Sequence, residues 1–299
     1  MKRLVPVVAL LLLAGCTARH PAASSAPSPV PSGSPVLSGS PAPSGSRAPS
    51  TVDGSAAPGS RAPAGRWQPR AGLSWQWQLS GPLDLAVPAD VYDIDAVGTS
   101  AAQVASLHAA GRRAVCYVDA GSYEKGRPDA ARYPAAVLGT VMDGWPDERW
   151  LDIRRWDALG PILRDRFAAC RAKGFDGVEA DNVDGYAGDT GFPLTAADQL
   201  TFNRRLADLA HATGLAIGLK NDLDQAASLA PTFDFAVDEQ CVQYRECDSL
   251  RVFTAAGKPV FHAEYDLTTA TFCPVTRPLG FSSIRKHLSL DAWREVCPQ

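Results

Sequence analysis

Segments of strand length recur along the chain, and most follow a stretch of helical period that closes in glycine. Eight of them read as strands: SWQWQL (74–79), VYDID (91–95), AVCYVDA (114–120), RWLDI (149–153), GVEAD (177–181), AIGLKN (216–221), FAVDEQ (235–240) and PVFHAEY (259–265). SAAQVASLHAAGR precedes the third, ALGPILRDRFAACRAKG the fifth and AADQLTFNRRLADLAHATG the sixth. In the last of these, Leu200, Leu206, Leu209 and Ala210 mark one helix face, Gly214 stands where a C′ cap belongs, and Thr195 is placed as an N-cap ahead of Asp198. Eight strands alternating with helices predict an α/β chain folded as a (β/α)8 barrel of the TIM type. The connection GPLDLAVPAD is too short for a proper helix, so the first unit is irregular. A doubly wound open sheet is the alternative, although no glycine-rich phosphate loop follows an early strand.

The N-terminus carries a different message. Lys2 and Arg3 precede the apolar run VPVVALLLLAG, which is too short to span a bilayer and reads as an export signal. Its ending, Leu13-Ala14-Gly15-Cys16, resembles the lipobox of bacterial lipoproteins, which predicts a signal over residues 1–16 with Cys16 as the lipidated residue. An ordinary secretory peptide with a chance cysteine is the alternative. Residues 17–65 are mainly Ser, Pro, Ala and Gly, a composition that cannot bury enough apolar surface to offset its ordering entropy. A disordered, semi-extended tether is expected there, holding a domain at 66–299 clear of a membrane outer face to which only the lipid attaches it. That remainder is long enough for one large domain and short for two.

Composition excludes several classes of function. A net charge of −3 offers nothing to nucleic acid. Five histidines, one of them in the tether and two in helix patterns, are too few for a metal-dependent hydrolase barrel, and there is no GxSxG motif for a serine esterase. No metal and no cofactor is expected, and the domain is expected to be a monomer. Besides Cys16 there are six cysteines, an even count that in an exported chain reads as disulfides. The close spacing of Cys241 and Cys247 suggests a local clip; Cys116–Cys170 and Cys273–Cys297 then follow as one choice among about 15 connectivities. A metal site is the rival use, but no CxxC or HxxxH spacing supports it.

The strand ends point to chemistry, because active sites in such barrels lie at the carboxyl ends of the strands. In order these ends carry Asp93 and Asp95, Asp119, Asp152, Glu179 and Asp181, Lys220 and Asn221, Asp238 and Glu239, and Glu264 with Asp266. Polar strand ends are ordinary; an acid at almost every one is not. Two carboxylates facing each other across a cleft are the minimum for glycoside hydrolysis, one protonating the leaving oxygen and the other attacking the anomeric carbon or activating water. Asp181 and Glu239 fit, ending strands separated by one neighbour. Glu179 shares the face of Asp181 but sits deeper and reads as a structural, hydrogen-bonded acid. Lys220 is placed to act as a cation beside a carboxylate or as a rim salt bridge. Trp75 is assigned to the core and Trp77 to sugar stacking, while Tyr117, Asp119 and Tyr265 are candidate ligand contacts, each balanced against a purely structural use.

WQWQLSG, YDID, VCYVDAGSYE, WPDERWLDIRRWDALGPIL, KGFDGVEADNVDGY, GFPLTAADQLTFNRRLADLAH, GLKNDL and DEQCVQYREC together resemble glycoside hydrolase family 114, over essentially all of the chain from Trp75 to Cys297. The resemblance implies a (β/α)8 barrel, endo-α-1,4-polygalactosaminidase activity, and a catalytic pair carried by the FDGV and EQC motifs, which maps onto Asp181 and Glu239. By their place at the strand ends, Asp95, Asn182, Lys220 and Asn221 join Trp77, Tyr117, Asp119 and Tyr265 as candidate substrate contacts. The resemblance implies Asp181 as nucleophile or base and Glu239 as general acid. One departure is visible: Asp238 stands where the family often has Asn, and a second acid beside Glu239, if buried nearby, would raise its pKa and leave open which acid is the nucleophile. The implied substrate is a cationic, partly deacetylated galactosamine polymer, attracted by carboxylates. A glycosidase of this fold acting on another α-linked sugar, and a surface lipoprotein that binds polysaccharide without cutting it, are the alternatives.

Overall fold

The computed structural model describes residues 65–298, so the signal sequence, Cys16 and nearly all of the predicted tether lie outside the described residues. The strands follow in chain order. First come β1 (Trp75–Gln78), β2 (Val91–Asp95) and β3 (Arg113–Asp119), then β4 (Ser122–Glu124), β5 (Leu138–Met142) and β6 (Trp145–Leu151). After them come β7 (Gly177–Asp181), β8 (Ala216–Lys220), β9 (Phe235–Glu239), β10 (Val260–Glu264), β11 (Ser282–Arg285) and β12 (Glu295–Val296). Eight of these, β1-β2-β3-β7-β8-β9-β10-β11, form a parallel sheet in that order, and β12 adds antiparallel to β11. The helices are α1 (Ala101–Ala109), α2 (Trp156–Lys173), α3 (Ala196–Thr213), α4 (Ala226–Leu229), α5 (Cys241–Tyr244), α6 (Arg251–Ala255) and α7 (Thr269–Thr276).

The sheet curls until its first and last parallel strands share a seam. The Trp75 indole donates to the Ser282 carbonyl across it at 2.8 Å. The C-terminal segment also lines it, with Leu290 O accepting from Leu79 N at 2.9 Å and Ala292 O accepting from the Gln76 amide at 2.8 Å. Strand alternation then sorts side chains into two cores. Trp75, Trp77, Val91, Val115, Phe235, Val237, Phe261 and Ile284 pack together inside the cylinder. Ile94, Cys116, Val178, Ile217, Leu219 and Ala236 face outward under the helices, against residues such as Phe167 and Phe202. This double burial is why the strands read as nearly continuous apolar runs.

Two strand assignments need correction. RWLDI is not a barrel strand: β6 pairs antiparallel with β4 and β5 in a separate three-stranded sheet inserted between β3 and α2. Asp152 therefore ends no barrel strand and instead takes the Arg154 guanidinium through two contacts of 2.7 and 2.8 Å. The eighth parallel strand is Ser282–Arg285, which makes PVFHAEY the seventh. The first connection, residues 79–90, contains no helix, as its length implied.

Local signals hold where the chemistry is specific. Thr195 caps α3 in a full capping box with Asp198, and Gly174 and Gly214 close α2 and α3 in the left-handed region at φ 97° and 81°. Disulfides join Cys116 to Cys170, Cys241 to Cys247 and Cys273 to Cys297. They tie β3 to α2, the start of α5 to the turn after it, and α7 to the C-terminal segment. Among the described residues no helix is long and apolar enough to cross a membrane.

Candidate active site

Three neighbouring strands deliver the central groups. Register places Tyr117 beside Glu179 and Asp119 beside Asp181, while Lys220 lies beside Val237 and Glu239 beside Ala263. Asp181, Lys220 and Glu239 therefore end β7, β8 and β9 at one mouth of the cylinder. Each is followed by a non-glycine residue in the left-handed region: Asn182 at φ 58°, Asn221 at 49° and Gln240 at 64°. Such conformations cost free energy and persist where surrounding structure enforces them. Here they turn the chain off the strand just past each polar side chain. Close approach reinforces the turn after β7: Ala120 N and Gly121 N donate to Asp181 O at 3.1 and 3.0 Å. A Cβ on Gly121 would lie 1.6 Å from the Asn182 carbonyl, so only glycine fits.

One ammonium joins the two candidate carboxylates. Lys220 Nζ contacts Asp181 Oδ1 at 3.3 Å and donates to Glu239 Oε2. Asp181 also accepts from Tyr117 OH at 2.7 Å and from Asn182 N at 2.8 Å. Glu239 accepts from Tyr265 OH, and its backbone N–H is held by Asn221 Oδ1 at 3.1 Å. The nearest oxygens of the pair are thus separated by no more than two hydrogen bonds in series, about 6 Å. Lys220 is only 4% exposed, and its Nζ sits 5.6 Å from the centroid of the Trp77 ring. Burial alone would lower its pKa, but Asp181, Glu239 and Glu179 outweigh burial and hold the ammonium well above the usual lysine range. Burial, with the adjacent Asp181 charge, likewise drives Tyr117 well above its ordinary range, so it stays a donor.

Below the pair lie Asp93 and Glu179, both buried. Among the described residues no N–H or O–H donor reaches any of their four carboxyl oxygens, and two carboxyls bond each other only by sharing a proton. Burial pushes Asp93 up to about 7 and Glu179 well above the carboxylate range, with the Asp93 charge adding to the latter. Glu179 lies deeper than Asp181, and its raised pKa favours the protonated form, which can donate to Asp93. The sign for stability follows. A carboxyl raised in the fold stabilises it below the unfolded pKa, and that contribution is lost as pH rises from about 4 through 7. Asp93→Asn, which cannot ionise, should gain stability relative to wild type over that interval, by up to about 4 kcal/mol. Thermal unfolding of both proteins across that range is the check; a constant difference would show that Asp93 is not the titrating group.

The mouth opens into a cleft of about 500 Å3. Asp95, Glu124, Glu148, Asp181, Asp184 and Glu239 line it against only two cations, Arg127 and Lys220. Of the residues expected at the site, Tyr117, Asn182, Asn221 and Tyr265 also line it, and Trp77 forms its floor while 1% exposed and stacked on Trp75. Asp95 is paired with Arg127. Asp119 is a correction: it does not line this cleft, but is buried and accepts from Ser122 N at 2.8 Å and the Asn182 amide at 3.0 Å. It orients Asn182 and the chain after β3. Asp238 is a second correction, since alternation along β9 turns it outward, away from Glu239, beside His262 of β10. It is fully buried there, and burial lifts its pKa well above the usual carboxylate value. The second acid beside Glu239 in sequence thus lies on the opposite face of β9. Glu264 also faces outward and accepts from Val242 N at 2.9 Å, fixing the turn after β9.

Glu124, Arg127, Trp145, Glu148 and Asp184 reach the cleft without having been singled out in the sequence. Four of them belong to the inserted sheet or its connections, which the assignment of RWLDI to the barrel concealed; Met-Asp-Gly-Trp at 142–145 is the hairpin signal that marks it. Two groups have ligand-like spacing for a metal. Asp238, Cys241 and His262 converge, but Cys241 is held in a disulfide and offers no thiolate. Asp119, Glu124 and Glu148 also converge, with Asp119 engaged by Ser122 and Asn182 and Glu124 by Arg127.

The sequence profile of glycoside-hydrolase family GH114 matches residues 56–299. No curated protein gives a significant sequence match. Among solved structures, Ega3 of Aspergillus fumigatus, crystallised in complex with galactosamine, is 41% identical over 78% of this chain and 98% of its own, with a TM-score of 0.74. The glycoside hydrolase domain of PelA from Pseudomonas aeruginosa superposes with a TM-score of 0.60 over 75% of this chain and 98% of its own, at 16% identity, a likeness of fold. An α/β barrel with paired acids at its mouth, a profile match across the whole domain and a relative this similar lead to one assignment: the chain belongs to glycoside-hydrolase family GH114.

Proposed function

We propose that this glycosidase hydrolyses α-1,4 linkages in a cationic, partly deacetylated galactosamine polysaccharide, with Asp181 and Glu239 as the catalytic pair. The observation that carries the reading is the pair itself, two carboxylates from β7 and β9 held on one buried ammonium at the mouth of a cleft rich in acids. A galactosamine ring bears an ammonium near neutral pH, so six carboxylates against two cations favour the deacetylated polymer over its neutral N-acetylated form. The galactosamine bound to Ega3 supports the same class of substrate.

A separation of no more than about 6 Å supports retention over inversion, which needs room for a water between wider-set acids. Asp181, the less exposed carboxyl and the one on which three donors converge, suits attack at C1 to form a glycosyl-enzyme. Glu239 protonates the departing O4, then takes a proton from the water that attacks C1 and releases Asp181. Tyr117, Asn182 and Lys220 position the nucleophile; Tyr265 and Asn221 position Glu239; Asp95 and Trp77 belong to the subsites around them. Export through the N-terminal signal, and attachment through a lipid on Cys16, would put this activity at a cell surface, and the domain would act as a monomer. Reducing-end release from deacetylated α-1,4-galactosamine polymer, compared with chitosan and starch, tests the assignment. Release from the first alone is expected; binding without release from any of them would make the protein a polysaccharide-binding lipoprotein.

A further inference from the structure

The β5–β6 hairpin carries an aromatic side chain to the wall of the cleft. Trp145 opens β6 just after the turn at Gly144, which adopts φ 83°. Its side chain lines the same cleft as Asp181 and Glu239, yet it is 54% exposed. Leu288, 67% exposed, lines the cleft from the C-terminal segment. Burial of such a side chain stabilises a fold, and the two tryptophans of β1, Trp75 and Trp77, are buried in the barrel core. An indole left in water beside a polysaccharide cleft has a ready use. Its face suits the C–H face of a sugar ring, and its π-system attracts an ammonium. Glu148, further along β6, faces the same cleft and adds negative charge to that wall.

We propose that Trp145 is the platform of a remote subsite that stacks one galactosamine ring of the polymer away from the bond being cut. The inference rests on the functional reading above and deepens it, because such a subsite engages a continuous chain and so favours cuts within it. Stacking supplemented by cation–π attraction corresponds to roughly 5- to 10-fold in affinity. The test is calorimetric titration of deacetylated polymer into a Glu239→Gln protein, which separates binding from turnover, with and without Trp145→Ala. Affinity should fall by that factor, Trp145→Phe should recover most of it, and N-acetylated polymer, which keeps the stacking face but lacks the ammonium, should depend on the residue less. Unchanged affinity in the Trp145→Ala protein, at an unchanged melting temperature, would overturn the subsite. If polymer binding depends on Trp145 while the wild-type protein releases no reducing ends, the subsite stands and the catalytic reading falls.

Discussion

Glu239→Gln and Asp181→Asn should each lower kcat/KM on the galactosamine polymer by roughly 1,000-fold or more while leaving the melting temperature within a few degrees of wild type. The magnitudes are large because, in the proposed mechanism, each group acts at the reacting centre, and removing either eliminates a step and not merely a contact. The two variants should nevertheless differ. An aryl galactosaminide has a leaving group that needs little protonation, so its first step should be much less affected in Glu239→Gln. Asp181→Asn lacks a nucleophile whatever the leaving group and should stay inactive on both substrates. The reverse pattern would exchange the two roles. Equal losses on both substrates would place neither residue as the acid.

Lys220→Met should be the next most severe change, a loss of about 100-fold or more in kcat/KM. The ammonium is buried and contacts both carboxylates, so its removal leaves two like charges facing each other with no cation between them. On the proposed mechanism the loss should fall mainly on kcat, because the cation holds the two acids where the bond is cut. A rise in KM with kcat unchanged would make Lys220 a contact of the substrate and not the counterion of the pair. Because Trp77 loses its cation–π partner in the same variant, Trp77→Phe is the useful companion. It keeps an aromatic face under the ammonium and should lose far less activity.

Most of the barrel could be read from period and punctuation. β2 matches its predicted span, and the strands that carry Asp181, Lys220 and Glu239 lie within theirs, because buried parallel strands between helices leave a continuous apolar trace. The glycines closing α2 and α3, and the Thr195–Asp198 box, encode helix ends by local chemistry that tertiary contacts do not override. Two elements were concealed for physical reasons. β6 alternates like any half-exposed strand, and a linear pattern does not tell whether its partner is a barrel strand or its own hairpin. β11, four residues with a serine pair and an arginine, buries too little apolar surface to stand out. The same limit explains the site. That Asp181 and Glu239 meet at one cleft was legible because strand ends in a barrel converge. Asp119 and Asp238 share that signature, but only the coordinates reveal which way they turn and which donors they meet. The period-2 rule alone does argue that Asp238 and Glu239 point to opposite faces.

The most direct measurement is the anomeric configuration of the first product, followed by proton NMR as a defined α-1,4-galactosamine oligomer is cleaved. Carboxylates tethered to one ammonium predict double displacement, hence the α-anomer appearing first and the β-anomer only through later mutarotation. Initial appearance of the β-anomer would mean that a water molecule fits between Asp181 and Glu239 during the reaction, and would contradict the arrangement on which the mechanism is built.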